Sequence, residues 1–267
     1  HMARLMVGRE VDFEAEKSPA QFKEEVLKVE HLTVQNEDGF EVVKDVSFTI
    51  RSGEIFAIAG VADNGQVEIA DAIAGLTKVS SGNILLGGKD ITNETIRNRT
   101  EAGISYIPED RQSYGLVLDF DLSTNLALKQ YKKPFSRKGI LNKEEFEKFG
   151  TEMIHKYDIR SGQGIKTQVR SMSGGNQQKA IIAREIELQS PLMIFVQPTR
   201  GVDIGAIENI HKMIIQERDR GKAILLISLE LDEIMNVADT IGVIYNGQLQ
   251  TIASRESLTT NEVGEYM

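Results

Sequence analysis

The sequence predicts an α/β fold with a buried, mainly parallel sheet, and two patterns carry this prediction. Three short segments are almost entirely apolar, as strands covered on both faces usually are: Glu54–Ala59, Leu192–Val196 and Lys222–Ser228. The first segment runs directly into a glycine-bounded loop, Gly60–Val67, which is followed by a helical pattern. A strand, a glycine-bounded loop and a helix in succession are the local context that a phosphate-binding loop requires.

The composition limits the class of protein. The chain has 267 residues and no cysteine, which excludes a disulfide scaffold. A hydrophobic content of 40% is enough for the core of one large domain or two small ones. The net charge of −9 argues against a nucleic-acid partner. No apolar run approaches the ~20 residues that span a bilayer.

Alternating patterns predict antiparallel strands near the start of the chain. Val26–Val29 and Val46–Ile50 alternate between apolar and polar residues, and Asn36–Gly39 is the predicted turn between them. Further along, Gly103–Ile107 is predicted as a core strand. The pair Asn246-Gly247 predicts a type I′ hairpin turn between the last two strands.

The stretch at residues 112–172 is predicted to be mostly helical. Asn142 is placed to cap a helix that runs to Tyr157. Ser136–Gly139 is expected to be a solvated basic loop, and His155 a surface residue rather than a ligand.

The functional interpretation is organised around Ser171–Lys179, which reads Ser-Met-Ser-Gly-Gly-Asn-Gln-Gln-Lys and precedes a helical pattern. Gly174 and Gly175 allow a partner to approach the backbone closely, and Ser173 adds a hydroxyl donor. The free N–H groups of the helix start favour an anion such as a terminal phosphate. A serine-capped helix after a glycine turn is the structural alternative.

This string closely resembles the signature motif of ATP-binding cassette (ABC) proteins, and its tail with Asn176 and Gln177 resembles that of sugar and nucleoside importers. The resemblance covers about residues 25–260. It implies a P-loop NTPase fold with a RecA-like core, an antiparallel β-subdomain and a helical signature subdomain at about residues 112–172. In this family an aromatic ring stacks on adenine, and Phe40 is a candidate for that role or, alternatively, a strand core residue.

The resemblance also assigns the landmarks of a nucleotide site. The P-loop keeps Gly60, Asn64 and Gly65, but its phosphate-binding lysine is Gln66 and its Mg²⁺-binding hydroxyl residue is Val67. Backbone N–H groups of such a loop could still cradle phosphates, without the charge or the metal ligand.

Most of the remaining landmarks also differ from the residues that the family uses. The Walker B strand ends in Val196 and Gln197 instead of a metal-binding aspartate and a catalytic glutamate. The switch histidine is Leu229, and the Q-loop glutamine is Glu109, in a Glu109-Asp110-Arg111 string that also occurs in second cassettes of sugar importers. Asp203 of the D-loop is retained.

The substituted residues all serve the chain's own nucleotide site, so we expect no metal and no catalytic residue there. The intact segments, Ser173–Gln177 and Asp203, are those that act in trans in the family, on ATP held by the facing cassette. We therefore expect a degenerate cassette whose partners are a competent cassette, transmembrane permease subunits and, indirectly, a substrate-binding lipoprotein. The expected location is the cytoplasmic face of the membrane, and the isolated chain is expected to hydrolyse ATP weakly or not at all. An aspartate at Gly175 is expected to face the partner's phosphates.

The first 24 residues are interpreted as a tag remnant and an inter-cassette linker, followed by one cassette at 25–267. His1-Met2 resembles a tag, and Arg4–Arg9 resembles the tail of a first cassette in tandem importer ATPases. The P-loop most resembles second cassettes of nucleoside importers, with sugar importers close behind. A regulatory nucleotide-binding module and a self-sufficient soluble ABC ATPase remain as alternatives. The lost site residues and the acidic charge argue against the second of these.

Overall fold

The computed structural model describes residues 17–130 and 135–267. Its strands are β1 (Glu25–Gln35), β2 (Glu41–Arg51), β3 (Ile55–Ala59), β4 (Val79–Leu86), β5 (Lys89–Asp90), β6 (Ile104–Ile107), β7 (Ser136–Arg137), β8 (Ile140–Leu141), β9 (Leu192–Val196), β10 (Ala223–Ser228), β11 (Thr240–Tyr245) and β12 (Gln248–Ser254). Its α-helices are α1 (Gln66–Ala74), α2 (Ile96–Ala102), α3 (Leu122–Ala127), α4 (Lys143–Lys156), α5 (Gly174–Glu187), α6 (Ile204–Asp219), α7 (Leu231–Val237) and α8 (Thr260–Tyr266).

The larger of two compact units contains residues 17–106, Ser190–Gln197 and His211–Met267. Its main sheet has the strand order β12-β11-β3-β10-β9-β6. Strands β9, β10, β3 and β11 are parallel neighbours, and β12 returns antiparallel to β11. The strands β3, β9 and β10 are buried along their whole length, as their continuous apolar sequences predict.

A second, antiparallel sheet in this unit has the order β2-β1-β4-β5. Buried residues of its strands join those of β3, β9 and β10 in one hydrophobic cluster. The two predicted turns are confirmed: Asn36 accepts the N–H of Phe40 through its side chain at 2.9 Å. Asn246 and Gly247 have φ angles of 48° and 79°, as a type I′ turn requires.

The smaller unit contains Ile107–Gln189, apart from the residues not described, and Pro198–Ile210. Helix α3 packs on α4 and on α5. A small apolar cluster beside them includes the stacked rings of Phe135 and Phe146, whose centroids lie 5.3 Å apart. This unit includes the stretch at 112–172 that was predicted to be mostly helical.

That prediction overstated the helix content. The described part of the stretch contains α3, α4 and three short turns, and irregular chain connects them. Ser136–Gly139 is not a loop but half of the β7–β8 hairpin, because Lys138 and Gly139 turn the chain with φ angles of 52° and 80°. Asn142 stands at the predicted cap position of α4, but its side chain makes no capping hydrogen bond. His155 is exposed, as expected.

The predicted leader divides into two parts. The tag-like and tail-like residues, His1-Met2 and Arg4–Arg9, lie outside the described residues. Residues 17–24 are held against the larger unit, since Lys17 pairs with Asp239 at 2.8 Å and Arg218 donates to the Ser18 carbonyl at 2.8 Å. No helix in the described part of the chain is long and apolar enough to cross a membrane.

Candidate functional site: a closed loop and an open helix start

The loop Gly60–Val67 connects β3 to α1 inside the larger unit, and two of its glycines are required by close packing. A Cβ on Gly65 would lie 2.4 Å from the Val42 carbonyl oxygen, and this residue also has a φ of +98°. A Cβ on Gly60 would lie 2.7 Å from a methyl group of Ile244. The loop is therefore fixed tightly against its surroundings.

Gln66 closes this loop on itself. Its side chain is 1% exposed. Its Oε1 accepts the Asn64 N–H at 3.2 Å, and its Nε2 donates to the Val61 carbonyl at 2.9 Å. A backbone N–H that could cradle a phosphate thus has an internal partner. The sequence predicted a substitution of the phosphate-binding lysine at this position but gave no signal of the closure.

Asn64 fastens the same loop to the β11–β12 turn. Its Oδ1 accepts the Asn246 N–H at 2.6 Å, and its carbonyl accepts the Gly247 N–H at 3.1 Å. Asn64 is thus occupied by contacts within the chain, and the loop is held in one conformation from two sides.

The two positions that the resemblance predicts for metal ligands carry hydrocarbon side chains. Val196 is fully buried in the core, and Val67 is partly buried against it. Neither supplies the hard oxygen that Mg²⁺ requires. Among the residues that the structure describes, no cluster of three or more His, Cys, Asp or Glu residues could hold a metal ion.

Gln197 is held in an uncommon backbone conformation, with a φ of 51°. Its N–H donates to the Ile227 carbonyl at 2.8 Å, and its Oε1 lies 3.4 Å from the backbone nitrogen of Leu229. The amide, which is 6% exposed, cannot accept a proton as a carboxylate would. Leu229 is 39% exposed and adds an apolar side chain.

The start of α5, in the smaller unit, has backbone N–H groups without an intrahelical partner, in contrast to the internally bonded loop Gly60–Val67. The first backbone bond of the helix joins the Gln177 N–H to the Ser173 carbonyl at 2.9 Å. The N–H groups of Gly174, Gly175 and Asn176 precede it and have no intrahelical partner. Ser173 occupies the cap position of α5, as the structural alternative predicts, but its side chain makes no capping hydrogen bond.

The Ser173 hydroxyl is oriented by its neighbours. Asn176 accepts the Arg160 N–H at 2.8 Å through Oδ1, which fixes the direction of its carboxamide. Its Nδ2 then donates to Ser173 Oγ at 2.9 Å. Because Oγ is the acceptor there, the hydroxyl hydrogen is left to point elsewhere. Ser173 is exposed, so that hydrogen is available to an external acceptor.

The rest of the segment supports this helix start from within. Gln177 is 1% exposed and donates through Nε2 to the Val169 carbonyl at 2.8 Å, so its side chain does not face outward. A Cβ on Gly175 would lie 3.0 Å from Ala206 Cβ and 3.3 Å from Asp203 Oδ2. The expectation that an aspartate at Gly175 would face a partner was therefore wrong, because its side chain would enter the same unit.

Asp203 and Glu109 also have partners within the smaller unit. Asp203 Oδ1 accepts the Ala206 N–H at 2.9 Å and so caps α6. Glu109 forms an ion pair with Arg200, which compensates the negative charge that this residue introduces. The sequence gave no signal for Arg200 or for the contact between Arg160 and Asn176.

Comparison with known proteins decides the family. The sequence model described as ABC transporter matches residues 43–200. The chain belongs to the ABC transporter family. The guanosine import ATP-binding protein NupO of Bacillus subtilis is 49% identical over 100% of this chain, which covers 52% of that protein.

Other ABC relatives give the same picture. The nucleoside import ATP-binding protein NupA of Lactococcus lactis is 49% identical over 100% of this chain, which covers 53% of it. The ribose import ATP-binding protein RbsA of Caldanaerobacter subterraneus is 36% identical over 98% of this chain, which covers 52% of it. The chain thus spans about half the length of these ABC relatives.

Solved ABC structures confirm the predicted fold class. A nucleotide-free ATP-binding cassette has a TM-score of 0.74 at 21% identity, covering 86% of this chain and 92% of that one. A dimeric cassette in a post-hydrolysis state bound to ADP and Pi has a TM-score of 0.74 at 19% identity, covering 87% and 100%. Phe40 is 71% exposed, so the core alternative for this residue is wrong, and adenine stacking stays a prediction.

Proposed function

We propose that this chain is the degenerate second cassette of a tandem nucleoside importer ATPase, with a sugar importer as the nearest alternative. Its Ser173–Gln177 segment completes the ATP site of a competent partner cassette, and its own loop is silent. The observation that carries the proposal is the contrast between Ser173 and Gln66. Ser173 presents an oriented, exposed hydroxyl, whereas Gln66 uses its side chain to close the loop.

The chain's own loop does not fit a complex of Mg²⁺ with a nucleotide. Such a complex needs a cation near the β- and γ-phosphates and oxygen ligands for the metal. The positions concerned carry a neutral amide and two valines, at Gln66, Val67 and Val196. We therefore assign ATP to the partner's site and no Mg²⁺ to this chain.

The relatives support the transported class and the tandem arrangement. Two relatives at 49% identity are named for guanosine and nucleoside import, and the ribose-import relative is more distant at 36%. Each is about twice as long as this chain. A competent first cassette in the same polypeptide would supply the missing ATP site. Permease subunits would hold the pair at the cytoplasmic face of the membrane, and a substrate-binding lipoprotein would act through them.

The mechanism assigned to this chain is electrostatic closure of the partner's site. ATP with its metal, bound there, supplies the phosphoryl group and most of the compensating charge. Ser173 donates a hydrogen bond, and the N–H groups of Gly174 and Gly175 point out of the N-terminal end of α5, where the helix dipole is positive. These donors hold the γ-phosphate and stabilise the charge that shifts in the transition state.

Ser173→Ala in the assembled importer tests the proposal. The variant loses one oriented donor while the packing of Gly174 and Gly175 is unchanged. Loss of such a donor costs about 10²-fold in kcat, and the KM for ATP should change little because the partner's P-loop holds the nucleotide. ATPase activity and solute uptake are measured in proteoliposomes.

Two matched variants separate this from general damage. Ser171→Ala removes an exposed hydroxyl that bonds only the local Gln168 carbonyl at 2.8 Å, and should leave activity unchanged. Gln66→Ala opens the silent loop and should cost far less than Ser173→Ala. If Gln66→Ala abolishes activity while Ser173→Ala is tolerated, the working site has been assigned to the wrong segment.

A further inference from the structure

Arg111 lies at the point where three segments of the smaller unit meet. Its Nη1 donates to the Arg200 carbonyl at 2.7 Å, and its Nη2 donates to the Gly201 carbonyl at 3.2 Å. A Cβ built on Gly174 would lie 2.9 Å from the same Nη2. The guanidinium group is therefore packed between the segment before α6 and the first residue of the signature helix.

The contact with Arg111 explains why glycine stands at both Gly174 and Gly201. A Cβ on Gly201 would lie 3.3 Å from Arg111 Nη2, and this residue has a φ of +65°. A Cβ on Gly174 would also lie 3.3 Å from the Gly201 carbonyl oxygen. The absence of both side chains leaves room for the planar fork of an arginine, which a lysine cannot reproduce.

The turn that carries Arg111 touches the signature helix a second time. Arg111–Gly115 is a π-turn, and a Cβ on its last residue would lie 2.5 Å from Ile181 Cδ1 in α5. Asp110 accepts the N–H groups of Gln112 and Ser113 at 2.9 Å each and so fixes the start of the turn. These hydrogen bonds, that to Ser113 foremost, lower the pKa of Asp110.

The same turn carries an exposed aromatic side chain. Tyr114 is 81% exposed, and Val117, two residues after the turn, is 37% exposed. Asp110 separates the turn from Glu109, which is itself held to the D-loop segment by Arg200. A displacement of this turn would thus be passed to Gly174 and Gly201 through the guanidinium group of Arg111.

We infer that Arg111 is a positioning residue that couples the Glu109–Gly115 segment to the signature helix start. It touches no nucleotide itself; it sets the place of Ser173 and Gly174 through the carbonyls of Arg200 and Gly201. The inference rests on the proposed function, because it explains how solute binding at the permease would reach a signature segment that works in trans.

The test uses the whole assembled importer in nanodiscs, with and without solute-loaded binding protein. The ratio of stimulated to basal ATPase activity does not depend on the fraction of active complexes. Arg111→Gln should lower this ratio by at least about fivefold, the scale of a typical coupling free energy. Basal activity should also fall, but by less than the about 10²-fold expected for Ser173→Ala, because the variant keeps the Ser173 hydroxyl. Arg111→Lys keeps the charge without the fork and should also lower the ratio.

A distance measurement provides a readout that is independent of turnover. Ser113 and Ser171 are exposed, and the chain contains no cysteine, so both can be replaced by Cys and spin-labelled. The distance distribution should be narrow in the parent and broader in Arg111→Gln and Arg111→Lys. Arg97→Gln, an equal charge change at an exposed site on α2, is the matched control and should change neither readout.

The outcomes distinguish the two proposals. If Ser173→Ala abolishes activity but both Arg111 variants keep the parent's ratio and distances, the role of Arg111 is overturned and the proposed function stands. If the Arg111 variants lower basal and stimulated activity equally, the residue is merely structural and the inference is also overturned. If Ser173→Ala has no effect, the proposed function fails first.

Discussion

Gln66 differs from a lysine in more than its lack of charge. Its carboxamide is both donor and acceptor, so it can bond the Asn64 N–H and the Val61 carbonyl of its own loop together. An ammonium group has donors only, and it would leave the Asn64 N–H free. A change of one side chain therefore converts a loop that could cradle phosphate into one that is internally satisfied.

Gln66→Lys should reopen the loop without restoring catalysis. The variant adds a cation and frees the Asn64 N–H, so ATP should bind about tenfold more tightly or better, which corresponds to roughly 1.4 kcal/mol. Binding should be the same with Mg²⁺ and with EDTA because Val67 and Val196 remain, and no turnover should appear. Isothermal titration calorimetry measures both affinities.

Gln66→Ala is the control for this experiment, since it opens the loop without adding charge. It should bind ATP no more tightly than the parent within a factor of about three. An unchanged affinity in Gln66→Lys would mean that neither the internal bonds of the loop nor the missing charge limits phosphate binding.

The directions of several side chains could not be predicted from residue identities. The roles of the substituted positions and of the Ser173 segment stay predictions. The sequence could not show that Gln177 faces inward or that a side chain at Gly175 would meet Ala206 and Asp203. Those directions depend on long-range packing, for which local propensity carries no information.

At the scale of elements, the strands were predicted well because their patterns are local. Continuous apolar runs marked β3, β9 and β10, and Asn246-Gly247 marked the last hairpin. The β7–β8 hairpin was missed because its strands have two residues each, too short for a period to show. We predicted too much helix in residues 112–172. The turns there are held by hydrogen bonds of side chains and backbone, and their polar, periodic sequences resemble those of helices.

The contact between Asp71 on α1 and Tyr106 on β6 links the loop's helix to the main sheet. Burial raises the pKa of Asp71, and the hydrogen bond from Tyr106 opposes that shift. Burial beside this carboxylate also raises the pKa of Tyr106, so the phenol remains a donor at ordinary pH. The neutral Tyr106 hydroxyl therefore stabilises the partly buried Asp71 carboxylate.

Tyr106→Phe should destabilise the chain in a pH-dependent way. Without its donor, Asp71 has a pKa raised further above its unfolded value, so the folded variant favours the protonated form. Its deficit should be about 1–2 kcal/mol at pH 8, where the carboxylate is charged. The deficit should shrink as pH falls through the raised pKa towards pH 4.5.

Urea unfolding at pH 4.5 and pH 8 measures this difference. Tyr114→Phe removes a hydroxyl at a site that is 81% exposed and should change stability at neither pH. An equal deficit for Tyr106→Phe at both pH values would show that Asp71 does not depend on the phenol.

At the scale of the whole molecule, most of the substituted positions lie in a different unit from the segment that we propose acts in trans. Gln66, Val67, Val196, Gln197 and Leu229 belong to the larger unit, and the Ser173 segment and Asp203 belong to the smaller one, together with the substituted Glu109. An oriented donor that is kept in the smaller unit supports the proposal that this chain serves a partner's site.

Restoring the five altered side chains should turn the silent loop into a metal-dependent site; the variant carries Gln66→Lys, Val67→Ser, Val196→Asp, Gln197→Glu and Leu229→His. Position 196 is fully buried, so its new carboxylate should destabilise the variant until a metal compensates it. At a ligand concentration of about 100 Kd, binding adds ~2.7 kcal/mol, or roughly 5 °C or more in Tm. Thermal unfolding should show this gain only with Mg²⁺ and ATP together, and the parent should show none.

Mixing experiments with this restored variant test whether the signature acts in trans. Under the proposed function, the parent alone should hydrolyse ATP no faster than background. The restored variant that also carries Ser173→Ala should be nearly inactive alone, because it has a site but no signature hydroxyl to close it. Mixed, the two chains can form one complete site from the restored loop of one and the Ser173 segment of the other, so Mg²⁺-dependent ATPase activity should appear only in the mixture. If the restored Ser173→Ala chain alone is as active as the restored chain with Ser173 intact, this segment does not complete a partner's site.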